Sequence, residues 1–148
     1  MQQAKRILLL NASPRIGGNT DIILENIRQA IGNRALVEKI DINSLNFKPC
    51  QECGGCDEND CCILDDDLKP IYKKIIEADA IVFGSPIYFG SLSAQAKMFI
   101  DRMQPFWTAK VKSKNLTDNF KTNGTRMDTN YTQISTNLPS EFIRENSC

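Results

Sequence analysis

Five of the six cysteines fall between residues 50 and 62, as Cys50, Cys53, Cys56, Cys61 and Cys62. The spacing Cys50-x2-Cys53-x2-Cys56-x5-Cys62 brings four thiols into one short loop, enough to wrap a single metal centre. Gly54 and Gly55 let the backbone fold close around such a centre. Three chemistries are compatible with the loop: a [4Fe–4S] cluster, a structural zinc, or unligated thiols. The final gap is longer than in the bacterial cluster run, and the proline that follows that run is absent. The acidic residues around the thiols (Glu52, Asp57, Glu58, Asp60, Asp65, Asp66 and Asp67) are unmatched by any Lys or Arg between residues 49 and 68. That field disfavours adding an electron, unless solvent screens it. The chain contains no histidine, which excludes Ser-His-Asp and Cys-His catalysis, imidazole ligands and an imidazole proton shuttle. Chemistry must therefore come from cysteine, carboxylates, lysine, backbone groups or a borrowed cofactor; no side chain is singled out as catalytic.

Two further stretches have the makings of a ligand site. Residues 13–20 read SPRIGGNT. Between a strand end and a helix start, the glycines let backbone N–H groups converge on one point. Ser13, Asn19 and Thr20 add hydroxyl and amide donors, Gly18 gives close approach, and Arg15 adds charge. The pattern is neither a P-loop nor GxGxxG; a phosphate monoester suits it best, and an ordinary helix-capping loop is the plain alternative. Residues 84–90, GSPIYFG, offer backbone amides and aromatic edges to a flat heterocycle, or serve simply as a turn with a few core side chains.

The elements that would carry these loops follow from hydrophobic period. Residues 5–11 (KRILLLN) form a short apolar run, the mark of a strand buried on both faces. Residues 21–31 predict a helix with Ile23, Leu24, Ile27, Ala30 and Ile31 inward, Asn19 or Thr20 as its cap, and Gly32-Asn33 as its stop. Residues 36–42 alternate as an edge strand. Asp65, Asp66 and Asp67 are expected to cap a helix with Pro70 in its first turn and Ile71, Ile75, Ile76 and Ala78 facing the core. Residues 80–84 (AIVFG) predict a third buried strand, and 85–90 a loop. Ser93 is expected to cap a helix carrying Ala96, Phe99, Ile100 and Met103 inward and ending at Pro105. Strand–helix alternation means βαβ units and a parallel sheet. Both polar loops then lie at carboxyl ends of strands, where such sheets bind ligands.

Eighteen basic residues balance eighteen acidic ones, which argues against a nucleic-acid binder working through a basic field. No stretch approaches the roughly 18 apolar residues of a membrane span, so a cytoplasmic chain with reduced thiols is expected. Residues 110–148 lose the apolar period and are rich in Asn, Thr, Ser and Lys. The expected organisation is one domain over 1–109 and a loosely ordered tail over 110–148.

Taken together, NASPRIGGNT, CQECGGCDENDCCILDDDL and EADAIVFGSPIYFGSLSAQAKMFIDR resemble the NAD(P)H-dependent FMN reductase-like family of flavodoxin-fold proteins, and within it the iron–sulfur flavoproteins. The resemblance covers residues 4 to about 107; the family's later strands and last helix have no counterpart after Trp107. It implies a flavodoxin-like three-layer α/β fold with a parallel sheet in the order 2-1-3. It implies FMN, with Ser13, Arg15, Gly18, Asn19 and Thr20 at the phosphate and Pro86, Ile87, Tyr88, Phe89 and Gly90 along the flavin ring. It implies a cluster held by Cys50, Cys53, Cys56 and Cys62, with Cys62 preferred to Cys61 because it directly precedes the Ile-Leu-Asp-Asp run. The function implied is FMN-dependent electron transfer, with NAD(P)H as a possible donor and a small-molecule or protein redox partner. Separately, a sheet that stops at the third strand leaves that strand's outer edge unpaired, so a homo-oligomer is expected. Alternatives from other classes are a zinc-stabilised module binding a phosphorylated ligand and an inactive flavoprotein fragment.

Overall fold

β1 (Arg6–Asn11) is the centre of a three-stranded parallel sheet, flanked by β2 (Leu36–Asp41) and β3 (Ala80–Gly84) in the order β2-β1-β3. The computed structural model describes residues 4–113. Register pairs Leu10 of β1 with Ile40 on one side and Phe83 on the other. The central position explains the unbroken apolar run: Leu8, Leu9 and Leu10 are all buried, on alternate faces of a strand covered on both.

Alternation along β1 divides the core. Leu8 and Leu10 join Ile40, Ile42, Leu68, Ile71, Tyr72, Ala96 and Phe99 in one cluster. It is supplied largely by α3 (Lys69–Glu77) and α4 (Ala94–Asp101). The opposite face takes α1 (Asn19–Ile31), whose buried residue is Leu24. Helices on both faces of an order 2-1-3 parallel sheet are the expected three-layer, flavodoxin-like arrangement.

Several local expectations need correction. The β3 strand has the expected bounds but is not buried: Ala80 and Ile81 are exposed, because among the described residues nothing pairs with its outer edge. Gly18, not Asn19 or Thr20, is the N-cap of α1, and no side chain caps it. On α1, Ile23 and Ala30 face solvent, since a flat three-stranded sheet covers only the narrow stripe through Leu24, Ile27 and Ile31. Residues 85–90 are not a plain loop: β4 (Ile87–Tyr88) and β5 (Ser91–Leu92) form a short antiparallel hairpin. Leu68, not an aspartate, is the N-cap of α3; Asp66 still accepts the Leu68 N–H at 3.1 Å. Ile100 is exposed on α4, and Tyr72, absent from the expected face of α3, is buried, its ring 5.8 Å from that of Phe106 in an edge-on contact.

Pro105 does not end the helical region. A two-residue turn after Asp101 leads into α5 (Gln104–Ser113), with Pro105 in its first turn, where a missing N–H breaks nothing. This helix crosses the expected 109/110 boundary; the tail beyond residue 113 lies outside the described residues. No described helix is long and apolar enough to cross a membrane.

Candidate functional site

The loop after β1 is shaped by its own side chains. Asn11 donates from Nδ2 to Asp41 at 2.8 Å and accepts the Ser13 N–H on Oδ1 at 3.1 Å. Ser13 Oγ accepts the Arg15 N–H at 3.2 Å. The turn closes where the Gly18 N–H reaches Arg15 O at 3.2 Å, and Gly17 has φ +68°, a left-handed conformation that favours glycine. Gly18 O then accepts the Ile22 N–H as the first helical bond. The N–H groups of Asn19, Thr20 and Asp21 consequently have no intrahelical acceptor, as at any helix start. They lie where the helix dipole favours an anion.

The side chains of Arg15, Asn19 and Thr20 make no hydrogen bond or ion pair among the described residues, and those of Arg15 and Asn19 stand in solvent. The one carboxylate in the first turn is already engaged. Asp21 accepts from Lys39 Nζ at 2.6 Å and from the Gly17 N–H at 2.8 Å, and these two contacts, Lys39 first, hold its carboxyl below the usual range. A β-carbon at position 18 would sit 3.1 Å from Arg15 O and fill the hollow of the turn.

The loop after β3 is brought alongside. The Ala12 N–H donates to Gly84 O at 2.8 Å, extending the β1–β3 pairing by one rung. Ser93 Oγ donates to Ala12 O at 2.7 Å and accepts the Ala96 N–H at 3.1 Å, so one buried hydroxyl both caps α4, as expected, and ties it to the first loop. Ser85 Oγ accepts the Ser93 N–H at 3.1 Å. Gly84 lets α1 approach: a β-carbon there would lie 2.8 Å from Thr20 Cγ2 and 3.0 Å from Leu24 Cδ1. Beyond Pro86 the hairpin lifts Ile87, Tyr88 and Phe89 into solvent, with Phe89 fully exposed at φ +50°. Gly84, Ser85 and Ser93 thus join the site as positioning residues. The sequence reading used Ser93 only as a cap; its second bond, to Ala12 O, joins residues 81 apart and leaves no local trace.

The cysteine loop follows the carboxyl end of β2, which lies at the same edge of the parallel sheet as the ends of β1 and β3. Cys50 and Cys53 are exposed, while Cys56, Cys61 and Cys62 are half-buried. Gly54, with φ +72°, starts the one-turn helix α2 (Gly55–Asn59), which sits against α5. Burial pushes the Cys56 thiol up, against a hydrogen bond from Thr108. Cys62 packs against the core beside the Tyr72 hydroxyl. Among the described residues no three Cys, Asp or Glu side chains gather closely enough to hold a metal ion. The acidic field is partly neutralised by geometry: Asp65 pairs with Lys69, Asp66 with Arg102, and Asp67 accepts the Asn46 N–H.

Residues 5–118 match the family model described as NADPH-dependent FMN reductase. Among curated proteins, the chain is 39% identical over 101 residues to an iron–sulfur flavoprotein of Methanocaldococcus jannaschii, covering 68% of this chain and 52% of that protein. It is 34% identical over 98 residues to one of Methanosarcina thermophila, covering 66% and 51%. It is 36% identical over 95 residues to one of Archaeoglobus fulgidus, covering 64% and 43%. The chain therefore spans about half the length of the curated relatives it matches. No solved structure gives a significant match. With most of the chain inside the family model, the protein belongs to the NADPH-dependent FMN reductase family.

Proposed function

We propose that this chain is an FMN-binding redox protein in which residues 13–20 hold the FMN phosphate and residues 86–90 lie along the flavin ring. The observation that carries the reading is the juxtaposition at one end of the sheet: unengaged donors at Arg15, Asn19 and Thr20, beside a hairpin holding Ile87, Tyr88 and Phe89 in solvent. A phosphate suits the first set and a flat heterocycle the second. When bound, FMN supplies the hydride and electron chemistry. The protein's part is to orient and to exclude water. Helix α1 and Arg15 offer charge to the phosphate, Ser13 and Ser93 fix the loop backbones, and the apolar hairpin covers the ring. The Arg15 side chain is exposed and makes no hydrogen bond or ion pair among the described residues, so its pairing with a phosphate would break no existing contact.

Cys50, Cys53, Cys56 and Cys62 are the proposed cluster ligands. Four thiols in one loop suit a [4Fe–4S] centre, which would relay single electrons. Their side chains do not converge in this structure, so no step is derived through the centre. A nicotinamide dinucleotide is the proposed hydride donor, and a small molecule or another redox protein the acceptor.

Binding isotherms separate FMN from riboflavin. Each charge-assisted phosphate bond is worth about 1.5–3 kcal/mol, so FMN should bind at least about tenfold more tightly than riboflavin. Arg15→Ala should weaken FMN and leave riboflavin unchanged. Equal affinities for the two would overturn the phosphate assignment. The absorbance of anaerobically purified protein adds the cluster: flavin bands with a broad brown background support both groups, and flavin bands alone support FMN without iron.

A further inference from the structure

The turn between α4 and α5 holds an arginine whose side chain has no solvent exposure. Arg102 Nη1 donates to Lys48 O at 2.7 Å and to Asp66 Oδ2 at 2.6 Å, and Nη2 donates to Asp66 Oδ1 at 3.2 Å. Lys48 stands two residues before Cys50, and Asp66 four residues after Cys62. One buried guanidinium therefore joins the two strands of chain that enter and leave the cysteine loop. Its own backbone is fixed in turn, because Arg102 O accepts the Tyr72 hydroxyl at 2.9 Å. A second rung lies just outside: the Asn46 N–H donates to Asp67 Oδ2 at 2.6 Å, and the Asp67 N–H to Asn46 O at 3.3 Å.

A buried Arg–carboxylate pair is a poor device for stability alone, since desolvation offsets most of its attraction. What the planar fork does provide is fixed geometry, because two parallel bonds to one carboxylate define distance and direction together. One polar atom of this clamp is left over: Arg102 Nε is buried without a hydrogen-bond acceptor. Buried donors are rarely left so. Cys62 lies close enough to act electrostatically on the guanidinium, and a sulfur acceptor drawn in as the loop closes would satisfy Nε.

We propose that Arg102 is the positioning residue of the cysteine loop: by clamping Lys48 to Asp66 it sets the separation of Cys50 and Cys62, and with it the loop's capacity to take a metal centre. The metal half of this statement rests on the cluster reading above; the clamp itself does not.

The test uses the full chain, purified anaerobically and offered ferrous iron and sulfide. Iron and sulfide per chain, FMN per chain, and the alkylation rate of each cysteine in the metal-free protein are measured for wild type, R102Q, R102K and D66N. Loss of an outer partner of a metal site costs about 10–100-fold in metal affinity. R102Q and D66N should show that loss with FMN binding intact, and their half-buried Cys62 should alkylate several-fold faster than in wild type, while the already exposed Cys50 changes little. R102K should not restore uptake, because an ammonium cannot make the fork. Wild-type iron affinity in R102Q would overturn the proposal. If wild type takes no iron, the cluster reading fails and alkylation alone decides: a faster Cys62 in R102Q supports the clamp, and an unchanged rate overturns it. If R102Q does not fold, R102M combined with D66L removes both charges together, and the same two readings on that variant decide.

Discussion

Gly84 shows how much one absent side chain does. A β-carbon there would meet Thr20 Cγ2 at 2.8 Å and Leu24 Cδ1 at 3.0 Å, so α1 could not rest as close to β3. Gly84→Ala should therefore destabilise by about 1–3 kcal/mol, the usual cost of overpacking. It should also weaken FMN by displacing Thr20; thermal melting and a flavin titration of the same variant check the two effects. Asp21 makes a pH prediction. Its carboxyl is held below the ordinary range, first by Lys39 and then by the Gly17 N–H. A depressed acid contributes stability that is fully present above its unfolded value of about 4 and is lost as pH falls through the folded value. Melting temperatures taken downward from neutral pH should thus show wild type losing its advantage over Asp21→Asn below about pH 4. An advantage that persists unchanged in strong acid would mean that Asp21 acts through shape rather than charge.

At the scale of elements, α4 is the part that binds the site together. Its cap, Ser93, both satisfies the Ala96 N–H and donates to Ala12 O in the neighbouring loop. Ser93→Ala should cost about 0.5–2 kcal/mol as a lost cap. Unlike an ordinary cap mutation, it should also lower FMN affinity, because the loop after β1 loses its tether; a melt and a titration on one sample separate the two. Sequence pattern was sufficient for the bounds of the three sheet strands and for most helix positions, but not for the β4–β5 hairpin. The apolar run of β1, the alternation of β2 and the bounds of β3 are local properties, and so is the Gly32 stop of α1, with φ +54°. What pattern missed depends on distant chain. Tyr72 is buried because Phe106 and Arg102 come to meet it, and Ile23 is exposed because no further strand among the described residues underlies it. Pro105 reads as a stop in isolation and becomes a first-turn proline only because a new helix begins at Gln104. The candidate site divides the same way. The loop donors were legible as residue types, whereas the clamp at Arg102 joins residues 54 and 36 apart and has no local signature.

For the whole molecule, stability is concentrated on one strand. β1 is hydrogen-bonded on both sides, and its three leucines are buried. Local opening is hardest where pairing and burial coincide. Amide exchange should therefore be slowest at Leu8, Leu9 and Leu10, intermediate in β3, whose outer edge nothing among the described residues pairs, and fast in β4 and β5. Equal protection of the hairpin and β1 would show that the hairpin is covered by another chain. The same central strand governs the order in which a growing chain can be completed. β1 is made first and finds β2 about thirty residues later, through contacts close in sequence. Its other neighbour, β3, with the Gly84 carbonyl that closes the first loop, is made only after the entire cysteine loop has been made. Ser93 and Arg102, which brace the two ligand loops, come later still. One short stretch, residues 84–102, thus supplies the bonds that brace both candidate loops, and until it emerges five thiols wait in an unbraced loop. Under oxidising stress, a ribosome that pauses before that stretch holds the chain at its most vulnerable to mispaired sulfur, whereas one that pauses after it holds a chain with both candidate loops braced.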